Sequence, residues 1–236
     1  MRKWEILSNN AIKLLACLFM LIDHMGVILF PNITVLRLIG RMAFPLFAYM
    51  FAEGAYYTKN KIKHALILAI FAVIIQLGYM IFVKSYDLSI LAIFLISLGL
   101  IRLFDVVYEQ MKKGNNGLSI TIFAILIIII IGLFYLTNVV TNIFEANYGF
   151  YGIMTPLVVY MVKKTMNDKY LMMIALAAMI TLKVLFWPTI AGWGAYLSLI
   201  FLFFYNGTRG KLKLKYFFYF FYPIHLIILY GISMLL

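Results

Sequence analysis

The chain has 236 residues, of which 66% are apolar or aromatic and only 12% charged, with a net charge of +12. Soluble domains average about 45–50% apolar and about 25% charged residues, so an ordinary water-soluble globule is excluded. Disorder is excluded too, because it requires low hydrophobicity. The one cysteine, Cys17, sits in an apolar run, so neither an intramolecular disulfide nor a cysteine-built metal site is available. No phosphate loop, dinucleotide fingerprint or zinc-protease helix motif is present, and no metal is expected.

A membrane-spanning helix needs about 17–25 apolar residues. The first expected span covers 14–30. The chain starts basic (Arg2, Lys3), but Asp23-His24 follows the apolar run where a cleaved signal would place small residues, so this segment is read as a retained helix. The turn Pro31-Asn32-Ile33-Thr34 leads into a second span, 35–57, and is short enough to make the first two helices antiparallel neighbours. Further spans are expected over 64–83, 88–106, 118–137, 148–162, 170–187, 190–205 and 216–235, the sixth and eighth of the set being short. Runs such as LSITIFAILIIIIIGLFYL are continuously apolar, whereas a barrel strand alternates.

Cytoplasmic loops collect Lys and Arg. Every second connection is basic. These are Arg2, Lys3 and Lys13; Lys59, Lys61 and Lys63; Arg102, Lys112 and Lys113; Lys163, Lys164 and Lys169; Arg209, Lys211, Lys213 and Lys215. Sixteen of the 20 basic residues thus fall on one side, leaving Lys84 and Lys183 for the other and Arg37 and Arg41 inside the second span. The expected fold is an all-α polytopic membrane protein. It is a single domain over residues 1–236, a bundle of about nine helices with the N-terminus cytoplasmic and the C-terminus outside. The basic excess is then an orientation signal in a multi-pass protein of the cytoplasmic membrane. The partner it implies is the lipid bilayer, not nucleic acid.

Ionisable groups inside a membrane are costly and by default mark a functional site. His24 lies about 9 Å below the outer end of the first helix, and Arg41 lies at about the same depth on the second. Asp23, His24 and Arg41 therefore share one layer, with Arg37 four residues before Arg41 on the same face. Neighbouring helix residues point about 100° apart, so Asp23 is expected to pair with an arginine while His24 meets another partner. His225 lies about 14 Å into the last helix, two residues after Pro223, which should kink it. Glu145, Asn147 and Tyr148 open the sixth span on the outer side beside Gly149 and Gly152. On the inner side, Tyr205-Asn206-Gly207-Thr208-Arg209-Gly210-Lys211 combines glycines, a hydroxyl and basic groups that suit phosphates, or an ordinary positive-inside loop.

The stretches LACLFMLIDHMGVILFP and LRLIGRMAFPLFAYMFAEGAYYTKNKIKH resemble the TraX family, and YNGTRGKLKLKYFFYFFYPIHLIILY is similar to that family's C-terminus. Asp23-His24, Gly40-Arg41, Phe44-Pro45, Glu53-Gly54 and Tyr222-Pro223-x-His225 carry the resemblance, which runs from residue 12 onward. TraX proteins are described as pilin N-acetylation factors of conjugation systems. They are similar to a wider group of transmembrane acyltransferases in which an early-helix histidine is the suspected catalytic residue.

The resemblance implies an acetyltransferase that uses acetyl-CoA as co-substrate. Lys59, Lys61, Lys163, Arg209 and Lys211 would hold the nucleotide at the cytoplasmic rim. His24 would act as general base, or as the acetyl-carrying nucleophile of a ping-pong variant. Arg37 or Arg41, held by Asp23, would stabilise the oxyanion, and His225 would orient the acceptor or the thioester. Glu145, Asn147 and Tyr148 would contact the acceptor, a peptide, polysaccharide or lipid bearing an amine or hydroxyl. Relatives are expected to carry an acid at the position of Asn147. A proton-coupled transporter would use the same buried polar residues, although no paired interrupted half-helices are visible. A non-enzymatic assembly factor for a pilus or secretion system would tolerate their mutation.

Overall fold

Every regular element among the described residues is helical, and the one isolated bridge joins Leu7 to Tyr205. The computed structural model describes residues 4–84, 87–138, 148–211 and 214–235. Among the described residues, six helices are long and apolar enough to cross a membrane: Asn9–Ile28, Thr34–Tyr57, Lys61–Ile81, Ile90–Lys112, Asn116–Asn138 and Lys169–Phe186. The sixth and eighth expected spans form shorter helices, Gly149–Thr165 and Ile190–Phe203, and the ninth is the helix Lys215–Ser233, with its apolar part at Phe220–Ser233. Helices satisfy their backbone groups internally, which a bilayer demands. The chain divides into two compact units, Met1–Phe51 with Lys169–Leu236, and Ala52–Asp168.

In the first unit, α1 (Asn9–Ile28) starts at Ser8, whose hydroxyl accepts from the Ala11 N–H at 3.3 Å. The segment expected as one helix over 35–57 is two, α2 (Thr34–Gly40) and α3 (Ala43–Tyr57). Pro45 is the reason. It has no N–H to offer the Arg41 carbonyl four residues back, and its ring crowds that carbonyl, so the ladder breaks at Arg41–Met42 and Pro45 sits in the first turn of α3. Gly40 lets α2 cross α1 at close range, since a Cβ there would land on the backbone and Cβ of Asp23.

The first unit continues with α4 (Lys169–Phe186), a 3₁₀ helix (Ile190–Leu197), α5 (Ser198–Phe203) and α6 (Lys215–Ser233). The 3₁₀ helix packs on α2, where a Cβ at Gly194 would strike the Leu38 carbonyl. The approach is so tight that the eighth expected span begins as 3₁₀ and only later becomes α-helical. The loop before α6 closes onto the start of α1. Leu7 N–H donates to Phe204 O at 2.9 Å, Asn206 N–H to Leu7 O at 2.9 Å and Asn9 N–H to Thr208 O at 2.8 Å, which satisfies a donor that a helix start leaves orphaned. Lys169 spends its ammonium on Glu5 (2.9 Å), Phe203 O (2.9 Å) and Tyr205 O (2.7 Å), tying α4 to both strands of that closure.

The second unit holds α7 (Lys61–Gly78), which runs into a π-helical turn (Tyr79–Val83), then α8 (Ile90–Lys112), α9 (Asn116–Asn138) and α10 (Gly149–Thr165). Asn60 caps α7 through the Lys63 N–H at 2.8 Å, and Ser89 caps α8 through the Ala92 N–H at 3.3 Å. The Ser97 hydroxyl lies 2.9 Å from Ile93 O and 2.8 Å from Ile153 O, binding α8 to α10. The outward side of α9 is aliphatic and aromatic, with Ile120, Phe123, Ile128, Ile131 and Phe134 exposed. Such a surface suits a lipid environment.

Candidate functional site

The polar residues of the first unit meet where α1, α2, α4 and α6 carry them. Asp23 of α1 is 8% exposed. Its Oδ2 accepts from Arg37 Nη1 at 2.7 Å, and its Oδ1 lies 3.9 Å from Arg41 Nε. The direct bond thus goes to Arg37 of α2, with Arg41 at the joint between α2 and α3 as a second, more distant ion partner. Lys183 of α4 lies within electrostatic range of both Asp23 and Arg41. One carboxylate therefore lies between two guanidinium groups, with the Lys183 amine nearby.

His24, the next residue on α1, turns to a different partner, as the angular step between neighbours requires. Its Nδ1 lies 2.9 Å from Nε2 of His225 on α6. His225 is 4% exposed, and its own Nδ1 lies 2.8 Å from the Phe221 carbonyl. A carbonyl only accepts, so His225 Nδ1 carries the proton there. In the neutral ring Nε2 is then the acceptor, and His24 must donate from Nδ1. That bookkeeping leaves the lone pair of the neutral His24 ring on Nε2. Phe221 stacks on the His225 ring at 4.8 Å and 12°, and Tyr222 meets both imidazoles edge-on, at 6.3 Å from His24 and 5.6 Å from His225. The aromatic packing fixes ring planes that the hydrogen bonds alone would leave free to tilt.

The remaining sequence-predicted residues are dispersed. Arg209 and Lys211 are exposed on the loop of the first unit that closes onto α1. Lys59 is exposed in the second unit. Lys163 of α10 is 8% exposed and lies 3.7 Å from Glu53, its ammonium over the rings of Tyr56 (5.5 Å) and Tyr57 (5.1 Å), so it is held inside the second unit rather than on an open rim. Tyr148 forms the N-terminal cap position of α10 and accepts the Gly152 N–H at 2.9 Å through its carbonyl. Glu145 and Asn147 lie outside the described residues.

Lys61 leads to a second polar cluster, which sequence reasoning overlooked. Asp105 of α8 is 3% exposed. Its Oδ2 takes Lys61 Nζ and Arg102 Nη1, each at 3.1 Å; its Oδ1 takes Lys164 Nζ at 3.1 Å and the Tyr160 hydroxyl at 2.5 Å. The start of α7 and the ends of α8 and α10 thus meet on one carboxylate. Two signals were readable. Asp105 falls inside an expected span, and Lys183 likewise interrupts the apolar run MITLKVLFW. The rule that singled out Asp23 applies to both.

A family model described as TraX protein matches residues 8–233. An uncharacterized protein of Rickettsia prowazekii (strain Madrid E) is 37% identical over 78 residues, which is 33% of this chain and 29% of that protein. The match therefore spans under a third of that relative's length. No solved structure matches.

Proposed function

This chain belongs to the TraX family, and from that premise we propose that it is an integral-membrane acetyltransferase, moving an acetyl group from acetyl-CoA to an amine or hydroxyl of an acceptor at or across the cytoplasmic membrane. The observation that carries the reading is the chain from the Phe221 carbonyl through His225 to His24, which directs the His24 Nε2 lone pair away from its partner. A histidine so oriented is a general base with its tautomer already set.

His24 would take the proton from the acceptor N–H or O–H as that atom forms its bond to the acetyl carbonyl carbon. The C–S bond then breaks, and the protonated imidazole returns its proton to the leaving thiolate. Arg37 is anchored by Asp23, and Arg41 lies beside that pair, where its guanidinium would favour the carbonyl oxygen as it becomes anionic. His225 holds the ring and shares the charge of the imidazolium. The CoA component supplies the activated thioester; its phosphates suit Arg209 and Lys211 in the first unit, and Lys59 and Lys61 in the second, while Lys163 is committed to Glu53 and the tyrosine rings. Binding measurements on each set separately would assign one. Glu145, Asn147 and Tyr148 remain the proposed acceptor contacts. The proposed topology has nine spans with the N-terminus cytoplasmic. It is supported within the second unit by the convergence of Lys61, Arg102 and Lys164, drawn from three basic connections, on one carboxylate.

The test is transfer of radiolabelled acetyl from acetyl-CoA to endogenous acceptors in membranes containing the protein. Wild type is expected to label an acceptor, and His24→Ala to lose about 10²–10⁴-fold of the rate. Full activity in a folded His24→Ala protein would overturn the scheme. Solute flux without acetyl-CoA would instead favour a proton-coupled transporter, and an assembly defect without either would favour a non-enzymatic factor.

A further inference from the structure

The Asp105 cluster is built like a frame for an anion that is not part of the chain. Asp105 uses both oxygens on four donors, so it has no capacity left. Lys61, Arg102 and Lys164 each spend one N–H on it. Three cations share one carboxylate, leaving two positive charges in excess. Arg102 Nη2 is buried without a hydrogen-bond partner, and a buried guanidinium donor left unmatched is costly. One tyrosine ring faces two of the ammonium groups. Lys164 and Lys112 lie over Tyr108 at 5.6 Å and 4.8 Å, and Tyr is the residue of the membrane interface. A basic pocket between helices at an interface suits the phosphate of a headgroup, and a planar guanidinium fork suits phosphate oxygens.

We propose that Lys61, Arg102 and Lys164, templated by Asp105, form a binding site for a phosphate group in the second unit. Asp105 preorganises the cations and Tyr160 fixes the carboxylate. The phosphate takes the free Arg102 edge and the remaining lysine donors. Two sources offer this chemistry, the headgroup of an anionic phospholipid and the phosphates of a soluble nucleotide. The second source would deepen the acetyl-CoA reading above, and in that case alone the site rests on it.

The experiment uses the full chain in nanodiscs. In one arm, thermal unfolding is compared in phosphatidylcholine and in equal parts phosphatidylcholine and phosphatidylglycerol. In the other, adenosine 3′,5′-bisphosphate is titrated in phosphatidylcholine at constant ionic strength. Wild type, Arg102→Gln, Lys164→Gln and the exposed-site control Lys113→Gln are run side by side. The expected result is selective binding of one probe by wild type and by Lys113→Gln, weakened about tenfold in the other two. Loss in the phosphatidylglycerol arm identifies a lipid headgroup, and loss in the bisphosphate arm a nucleotide. Wild type that prefers neither probe overturns the site without recourse to variants, as do folded variants that bind as well as the control. Acetyl transfer is measured separately, so a chain that binds phosphate but transfers nothing loses the enzyme reading and keeps the site.

Discussion

Nε2 of His225 lies 2.9 Å from Nδ1 of His24 across 201 positions of sequence, and the far nitrogen of His225 is already committed to a backbone carbonyl at 2.8 Å. The pair therefore has one internally consistent neutral tautomer, with a single lone pair left for chemistry. In the proposed scheme His225 acts through His24 and is a positioning residue. His225→Ala is expected to lower kcat about 10–100-fold, in the range of other residues that orient a catalytic group, and to leave the KM for acetyl-CoA little changed. The double variant with His24→Ala should be no slower than His24→Ala alone, because the two act as one unit. Steady-state kinetics of the four proteins checks this, and additive losses would count against the relay.

Asp23 bonds Arg37 and lies in ion-pair range of Arg41, so its removal leaves two guanidinium groups facing one another without the carboxylate between them. Asp23→Ala is expected to destabilise the protein by about 3–5 kcal/mol. Combining it with Arg37→Met should recover part of the loss, since the unpaired partner goes too. Thermal unfolding in detergent reads both; a double variant less stable than the single would contradict the pairing.

Gly40 matters through what it lacks. A methyl group there meets the Asp23 backbone rather than a pliable side chain. Gly40→Ala should cost about 1–3 kcal/mol by forcing α1 and α2 apart, and it should reduce acetyl transfer because Asp23 and His24 move with α1. Gly54→Ala has open space at the same atom and serves as the control. Equal melting temperatures for the two variants would show that the crossing is looser than described.

The Tyr160 hydroxyl donates to a carboxylate that is 3% exposed. Tyr160→Phe is expected to destabilise the second unit by about 1.5–3 kcal/mol, the range for hydrogen bonds to charged groups. Hydrogen exchange along α8 and α10 should quicken while α1 and α6 keep their protection. Uniform quickening across both units would argue that the effect is not local.

Much of the architecture was legible because a bilayer leaves few options. Each of the nine apolar runs contains helix, and the sequence placed Asp23, His24 and the arginines in one layer from nothing more than rise per residue and a short turn. The partner of Asp23 was harder. Depth put Arg41 in the same layer but left the choice between Arg37 and Arg41 open; with the break that Pro45 imposes after α2, Arg37 takes the direct bond. Pro45 itself was visible, but its consequence lay four residues upstream and the segment was read as continuous. The eighth run was read as an ordinary span, because no local signal showed that Gly194 would press its backbone onto Leu38. Lys183 and Asp105 were passed over for the opposite reason. Charges near segment ends were assigned to sidedness, which is correct on average and hides the ones that fold back to a partner.

The closure of Leu7 on Tyr205 and the contact of His24 with His225 have a consequence for biogenesis. Both link an early stretch of the chain to a late one, and the second unit is encoded in between. A ribosome delivering this protein to the membrane completes α1 long before α6, and over that interval Asp23 and the arginines are present while His24 has no imidazole beside it. The His24–His225 contact comes into being only when residue 225 has been inserted, so His24 acquires its ring partner late in synthesis, after the rest of its own layer has been made.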